Sequence, residues 1–245
     1  MVDLWLAVLP VWCENPPLAE AGAPMPAGIA ERLDRLPLAM ADALRTLQPA
    51  DVVRGLAVRA LLHRAWAADS DPAAFLANWQ TDENGRPSIP GFPAFNASHA
   101  GRLTAVAMRP APSIRPSAEG QHTPGPALGL DLEHIRPIGF DLLRPYMSDT
   151  EWDDIEHHDD PRARFFHFWT AKEALMKAEG LGFRLPIEEI ALRGDAAMIR
   201  GRQWHLTRPI WPDNVPPGYA WHLATPEAEP DTRIQCCDWD RLWTV

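Results

Sequence analysis

Cysteine is scarce in this 245-residue chain, which has only Cys13 and the adjacent pair Cys236 and Cys237. Three cysteines do not make a disulfide framework, and the adjacent pair lacks the C-x-x-C spacing that is typical of zinc sites. Reduced thiols in an intracellular protein are the simplest interpretation. Disulfide-stapled folds and cysteine-ligated zinc sites are therefore not expected.

Long hydrophobic runs are also missing, since no segment approaches the ~20 apolar residues that cross a membrane as a helix. The apolar segment 1–13 is short and carries Asp3 where a signal peptide would carry Lys or Arg. We interpret it as a buried strand. We therefore expect a cytoplasmic protein without a membrane partner.

Positive charge is in deficit, because 23 Lys and Arg stand against 33 Asp and Glu, for a formal net charge of −10. A general nucleic-acid surface would normally be basic, so we expect no nucleic-acid partner. A local basic pocket for a phosphate ligand remains compatible with this balance. The composition of 46% hydrophobic and 23% charged residues is typical of a globular protein.

The sequence pattern of the first half predicts a strand, then helices and then further strands. A helical pattern over residues 29–47 must be kinked or divided at Pro37. Asn84-Gly85 is a strong turn signal. The predicted strands are Val2 to Leu9, a short one around Phe75 to Gln80, and two within Phe95 to Met108; a second helix runs from Gln48 to about Ala67.

A segment rich in proline and glycine, residues 109–127, separates two parts of the chain. Such a composition predicts an extended, poorly ordered connection. We therefore predict an N-terminal half over residues 1–108 and a C-terminal half over residues 128–245.

The second half repeats the rough order of strand, helices and strands. Ser148 and Glu151 form a candidate capping box, and Gly180 with Gly182 should end the central helix. The predicted strands are 127–135, Ile187 to Leu192, Trp204 to Thr207, Tyr219 to Ala224 and Ile234 to Cys237, the last four closing one sheet; the predicted helices are Phe140 to Met147, Asp149 to His158 and the central helix from Phe165.

Two carboxylates, Asp131 and Glu133, lie two residues apart on a predicted strand and so point to the same face. Paired carboxylates repel each other unless a cation sits between them, and Mg²⁺ prefers such oxygen ligands. Glu173 of the central helix could supply a third carboxylate. The ordinary alternative for the pair is a solvated strand edge.

The central helix carries Trp169, Glu173 and Lys177 at intervals of four residues, along one stripe. Glu173 and Lys177 alone are also consistent with an ordinary helix ion pair.

Positive side chains in four separate segments would complement a polyanionic ligand. They are Arg54, Arg86, His99 and Lys177. His99 is not in a serine-hydrolase setting, because the G-x-S-x-G motif is missing.

Four ordered motifs together resemble the 4′-phosphopantetheinyl transferases of the monomeric, Sfp-type class. Gly85-Arg86-Pro87 is similar to the family's Gly-Lys-Pro, and FNASHAG at 95–101 is similar to F-N-I-S-H-S-G. GLDLE at 129–133 resembles the family's G-(I/V)-D-(I/V)-E. WTAKEALMK at 169–177 resembles its W-(S/T)-x-K-E-(A/S)-x-x-K. The resemblance covers about two thirds of the chain, and Arg86 in place of the usual lysine is its main departure.

The resemblance implies an α+β fold in which two similar halves form a pseudo-dimer, with coenzyme A and Mg²⁺, or Mn²⁺ in its place, in the cleft between them. The implied enzyme is of the holo-[acyl-carrier-protein] synthase type. It would transfer 4′-phosphopantetheine from coenzyme A to a serine of an apo acyl or peptidyl carrier protein and release adenosine 3′,5′-bisphosphate. Such carriers serve fatty acid, polyketide or non-ribosomal peptide biosynthesis, and a monomer is expected.

Roles for individual residues follow from the same resemblance. The metal ligands would be Asp131, Glu133 and Glu173, with Glu173 as the base that activates the carrier serine and Lys177 as its catalytic partner. The residues expected to bind coenzyme A are Arg54, Arg86, Ser98, His99, Asp131, Lys172 and Lys177.

Two other functions remain open at this point. One is a non-catalytic module of the same fold that binds coenzyme A or a carrier protein. The other is a metal-dependent phosphohydrolase with water as the acceptor. A coenzyme A-derived product on a carrier protein would separate the transferase from both alternatives.

Overall fold

The computed structural model describes residues 1–14, 28–66, 71–109, 128–187 and 190–242. Ten strands run over Val2–Val8 (β1), Gln80–Thr81 (β2), Pro87–Ser88 (β3), Ala94–Ala100 (β4), Leu103–Arg109 (β5), Gly129–His134 (β6), Ala196–Ile199 (β7), Arg202–Thr207 (β8), Tyr219–Thr225 (β9) and Thr232–Asp238 (β10). The α-helices are Ile29–Leu33 (α1), Leu38–Arg45 (α2), Pro49–Trp66 (α3), Pro72–Leu76 (α4), Asp149–His157 (α5) and Pro161–Glu179 (α6). Short 3₁₀ turns cover Val11–Cys13, Phe140–Tyr146, Gly182–Arg184 and Trp239–Arg241.

The first sheet has the strand order β10-β1-β5-β4. Strand β1 pairs antiparallel with β5 and parallel with β10, so the last strand of the chain lies beside the first. Helix α3 packs on this sheet, because its apolar residues, among them Val53, Leu56 and Leu61, are buried in the same core cluster as Val106 and Met108. This half is therefore one sheet covered by one long helix.

The second sheet has the order β6-β9-β8-β7, with every pairing antiparallel. Helix α6 lies across it and buries Ala174 and Leu175 against Trp204 and Leu206. Two sheet-and-helix units result, and this arrangement is compatible with the pseudo-dimer that the resemblance implies.

The two sheets also share a core on the faces opposite their long helices. Leu4 and Leu6 of β1 and Leu130 and Leu132 of β6 belong to one buried cluster. At the neighbouring edges, β4 of the first sheet lies alongside β6 of the second. The boundary between the halves is thus closed by apolar packing and brings two strand edges together.

The structure confirms the α+β class and most of the predicted elements. Pro37 separates α1 from α2, as its ring requires. Ser148 and Glu151 form the capping box at the start of α5. Gly180 ends α6 in the left-handed conformation, with φ of 74°.

Three predicted elements are wrong in part. The segment Phe75 to Gln80 is mostly not a strand, because Asp71 caps α4 with Pro72 in its first turn, and β2 has only two residues. Of the predicted strand Ile187 to Leu192, only an isolated bridge from Leu192 to Ala197 is present in its described part. Strand β10 joins the first sheet instead of closing the second.

The division of the chain at residues 109–127 remains a prediction, since residues 110–127 lie outside the described part. Strand β10 follows the second sheet in the chain but pairs with β1, and so completes the sheet of the first half. No helix in the described part is long and apolar enough to cross a membrane.

Candidate active site

Strand β6 and helix α6 lie unusually close together, and this closeness places the two acidic elements side by side. A Cβ atom on Gly129 would overlap the backbone carbonyl oxygen of Ala174 in α6. Only glycine therefore allows this approach of strand to helix. Asp131 and Glu133 follow on β6 at the level where Glu173 and Lys177 line α6.

Asp131 is the most buried of the carboxylates, at 2% exposure. Its Oδ1 accepts hydrogen bonds from Lys177 Nζ at 2.6 Å and from Ser98 Oγ at 2.9 Å. Its Oδ2 is buried and has no hydrogen-bond partner among the described residues. A buried carboxylate oxygen without a partner is costly, so this atom is a candidate to bind a cation.

The other two carboxylates are half-buried and have raised pKa values. Burial, and then repulsion from Asp131, raises the pKa of Glu133, although Arg136 lies 3.2 Å from its Oε2. Burial, and then the charge of Asp131, raises the pKa of Glu173 to about 7, while Lys177 and a hydrogen bond from Trp169 act in the opposite direction. Negative charge is thus in excess at this point.

These residues fit a divalent cation in ligand type and in charge. They offer carboxylate oxygens, one of them buried without a partner, and their mutual repulsion would be relieved by a hard cation such as Mg²⁺. The three carboxylates are not already arranged as a coordination sphere, because no cluster of metal-binding side chains is found in the described residues. Instead, the Lys177 ammonium group lies on Asp131.

The stripe predicted on α6 is present, and it is the half-exposed face of a helix that is otherwise buried. Trp169, Glu173 and Lys177 are partly exposed between buried neighbours. Lys177 contacts Asp131 across the site, and within the described residues no ion pair joins it to Glu173. The ordinary helix ion pair therefore does not explain this spacing.

A cavity of about 260 Å³ opens beside Lys177. Arg86 and Lys177 line it together with the backbone of Gly85, Gly180 and Gly182. No carboxylate of the described part lies within ion-pair distance of the Arg86 guanidinium. An unpaired arginine, a lysine and small residues suit a phosphate group.

A second cavity has a volume of about 590 Å³ and reaches Glu133 of the acidic group. Arg54, His99, Glu133 and Arg136 line it. Desolvation lowers the pKa of His99, as do the charges of Arg54 and Lys177. A bound anion would oppose this effect and favour the charged imidazole.

Arg54 is largely used in holding the protein together. Its guanidinium donates to the carbonyl oxygens of Gly101 and Cys13, at 2.6–3.0 Å, and pairs with Asp51 at 2.7 Å. Gly101 is in the turn that follows Ser98 and His99. Arg54 therefore fixes the β4–β5 turn, with little hydrogen-bonding capacity left for a ligand.

The structure does not bring Lys172 to this group. Its side chain is fully buried, lies 2.7 Å from Glu151 Oε2 and donates to the carbonyl oxygen of Tyr146 at 3.0 Å. Glu151 in turn belongs to the capping box of α5. Lys172 thus joins α6 to α5, one residue away from Glu173 in sequence and on a different face of the helix.

Sequence reasoning missed Arg136 and Asn96. Arg136 pairs with Glu133, and its spacing of three residues from a candidate ligand was the available signal. Asn96 Oδ1 accepts a hydrogen bond from the backbone N–H of Leu130 at 3.0 Å. Asn96 stands in the same FNASHAG segment as Ser98, but its partner lies on a strand far away in sequence.

Comparison with known proteins agrees with the family that the sequence motifs resemble. Residues 127–215 match the model of a family described as the 4′-phosphopantetheinyl transferase superfamily. The chain is 31% identical over 156 residues to the 4′-phosphopantetheinyl transferase Sfp of Bacillus subtilis (strain 168). This match covers 62% of the present chain and 59% of that protein. It is also 28% identical over 197 residues to the 4′-phosphopantetheinyl transferase ffp of Bacillus subtilis. This match covers 78% of the present chain and 76% of that protein.

The match to the first of these relatives leaves part of each protein uncovered, because it spans about three fifths of that relative's length. The matched family segment contains Asp131, Glu133, Glu173 and Lys177, the four charged residues that the structure groups on β6 and α6.

Proposed function

We propose that this chain, which belongs to the 4′-phosphopantetheinyl transferase superfamily, transfers 4′-phosphopantetheine from coenzyme A to a serine of an apo acyl or peptidyl carrier protein in a Mg²⁺-dependent reaction. The observation that carries the proposal is the acidic group of Asp131, Glu133 and Glu173. Lys177 lies against Asp131, one cavity is lined by Lys177, and another is lined by Glu133. This arrangement would suit a divalent cation held by the carboxylates together with a diphosphate substrate.

Coenzyme A would be held by the positive groups of the two cavities. Arg86 and Lys177 line one and are suited to phosphate oxygens. His99 lines the other, where Arg54 fixes the turn that presents it. Lys172 is assigned instead to the packing of α6 on α5, because its ammonium group is enclosed by protein partners.

Asp131, Glu133 and Glu173 would hold Mg²⁺. The bound ion would supply Lewis-acid stabilisation of charge on the diphosphate oxygens. Lys177 would add a second positive charge at the same place, since its ammonium group already lies among these carboxylates. In phosphoryl transfer such positioning and charge stabilisation carry most of the catalysis.

Glu173 would act as the general base. The oxygen of the carrier serine would attack the β-phosphoryl group of coenzyme A, and the bond to the α-phosphate oxygen would break, so that adenosine 3′,5′-bisphosphate leaves. The proton of the serine hydroxyl would pass to Glu173, directly or through water. Its carboxylate is partly exposed on α6, as a base that must meet the serine of a carrier protein requires.

The intact mass of an apo carrier protein tests the proposal. After incubation with this protein, coenzyme A and Mg²⁺, the carrier should gain one phosphopantetheine group, and EDTA should abolish the gain. If several unrelated carriers gain nothing while calorimetry shows coenzyme A binding, the non-catalytic binding module is the better assignment. If coenzyme A does not bind, the proposed function is wrong.

A further inference from the structure

Strand β4 reaches across the boundary between the halves with two side chains. The alternate residues Asn96 and Ser98 are both buried, at 7% and 6% exposure. Asn96 Oδ1 accepts from the N–H of Leu130 at 3.0 Å, and Ser98 Oγ accepts from the N–H of Leu132 at 3.2 Å. These side chains thus satisfy the edge of β6, where a neighbouring strand would otherwise supply carbonyl oxygens.

The hydroxyl group of Ser98 has no hydrogen-bonding capacity left. A serine hydroxyl has one proton to donate and two lone pairs to accept with. The proton goes to Asp131 Oδ1 at 2.9 Å, and the lone pairs accept from Leu132 N at 3.2 Å and Lys177 Nζ at 3.2 Å. A phosphate of coenzyme A could bind Ser98 only by replacing one of these contacts.

The same contacts orient the Asp131 carboxylate. Its Oδ1 is held by the two donors Ser98 and Lys177, whereas its buried Oδ2 has no partner in the described part of the chain. Leu130 and Leu132, which flank Asp131 in sequence, are the residues whose N–H groups bind Asn96 and Ser98. Both the backbone and the side chain of Asp131 are therefore fixed from the other half of the molecule.

We propose that Asn96 and Ser98 are positioning residues for the metal carboxylate Asp131. These two residues of the first half would thereby support the metal site of the second half without binding the metal themselves. This inference rests on the proposed function, because it takes Asp131 as a metal ligand.

The test compares Ser98→Ala with His99→Ala in two binding measurements, using Ser88→Ala on exposed β3 as the control. Mn²⁺ affinity, measured by electron paramagnetic resonance, should fall about 10- to 100-fold in Ser98→Ala, as when other partners of metal ligands are removed. This loss should appear when no coenzyme A is present, whereas His99→Ala should weaken coenzyme A binding in EDTA. Ser98→Thr, which keeps the hydroxyl group, should restore much of the metal affinity.

The opposite pattern overturns the inference. If Ser98→Ala weakens coenzyme A binding in EDTA as much as His99→Ala does, and Mn²⁺ binding is unchanged, then Ser98 is a coenzyme A ligand. If the wild-type protein binds neither Mn²⁺ nor coenzyme A, the proposed function fails, and the assignment of Ser98 to a metal site fails with it.

The hydrogen-bond network itself can be checked without either ligand. The chain has only two lysines, Lys172 and Lys177, so the ammonium signals of ¹⁵N-lysine-labelled protein are few enough to assign. Ser98→Ala should move the Lys177 signal and leave that of the buried Lys172 in place. An unmoved Lys177 signal would show that Ser98 does not join Lys177 and Asp131, which removes the basis of the inference.

Discussion

At the scale of single residues, the two lysines of the chain lie five positions apart on one helix and have different environments. Lys177 is 28% exposed and faces Asp131, where a ligand can reach it. Lys172 is fully buried against Glu151. The motif WTAKEALMK contains both, and motif membership alone does not distinguish a ligand-facing lysine from a structural one.

Substituting Glu173 tests the proposed base most directly. Glu173→Gln keeps the size of the side chain but removes the carboxylate, so transfer should fall by at least about 100-fold, within the range expected for a general base. Its thermal unfolding temperature should not fall, because the carboxylate is half-buried beside like charges. Phosphopantetheine transfer is measured by carrier mass, with Glu229→Gln on an exposed connection as the control. Near-normal turnover would remove Glu173 from the mechanism.

Lys172→Met tests the structural assignment of the other lysine. The substitution leaves Glu151 buried without its cation, so the free energy of unfolding should drop by about 3–5 kcal/mol. Denaturant unfolding measures the change. Coenzyme A affinity of the protein that remains folded should equal that of the wild type. Lys172 would be a ligand residue if stability were retained while coenzyme A binding was lost.

At the scale of elements, α6 is fixed beside the stripe of Trp169, Glu173 and Lys177 by a contact with strand β9. Trp169, Glu173 and Lys177 are half-exposed, whereas Thr170 binds His222 Nδ1 on β9 at 2.8 Å. His222 is the cross-strand partner of Asp131. The rings of His222 and His167 lie 4.6 Å apart. An imidazole pair therefore supports the helix next to the carboxylates.

This imidazole pair should make the fold sensitive to acid. Burial lowers the pKa of His222 well below 6.5, helped by His167, and burial lowers the pKa of His167 to about 4. As the pH falls from about 6.5 to 4, the unfolded chain binds protons that the folded chain does not, so stability is full above pH 6.5 and decreases below it. Urea unfolding at pH 7.5 and pH 5 should show a loss of about 1–2 kcal/mol from each buried imidazole.

Other groups also contribute to acid sensitivity, among them Asp154 and Glu227, whose pKa values are lowered by Arg164 and Arg109. The informative quantity is therefore the difference between the wild type and His222→Gln. The variant should lose less stability than the wild type between pH 7.5 and pH 5. An equal loss in both proteins would contradict a role of His222.

The sequence predicted elements well where the signal was local. Pro37, the capping box at Ser148 and the glycine at position 180 each act within one or two turns of helix. The segment 75–80 was misjudged because its aromatic residues favour a strand, whereas Asp71 and Pro72 upstream start a helix. Local caps outweighed the preference of the side chains.

At the scale of the whole molecule, the candidate site depends on contacts that a single sequence cannot reveal. Asp131, Glu133 and Glu173 could be grouped from motif and spacing, but the bond from Ser98 to Asp131 links residues 33 apart. The exclusion of Lys172 depends on packing of α5 against α6. The place of β10 depends on pairing between the first and last strands, for which alternation within β10 gives no signal.

That pairing leads to a prediction about a cut between the halves. If a protease site is inserted within residues 110–127 and cleaved, the two fragments should stay together. Strand β10 of the second fragment pairs with β1 of the first over seven residues, from Val2 opposite Thr232 to Val8 opposite Asp238. The shared core of Leu4, Leu6, Leu130 and Leu132 adds apolar burial that separation would expose to water.

Size-exclusion chromatography measures the outcome. The cleaved protein should elute at the volume of the intact chain in native buffer and resolve into two fragments in urea. The cleaved complex should also keep its Mn²⁺ affinity, because Asn96 and Ser98 hold Asp131 through hydrogen bonds that do not pass along the chain. If the fragments separate in native buffer, then the covalent connection through residues 110–127 holds the halves together. The β1–β10 pairing and the shared core would then not be sufficient.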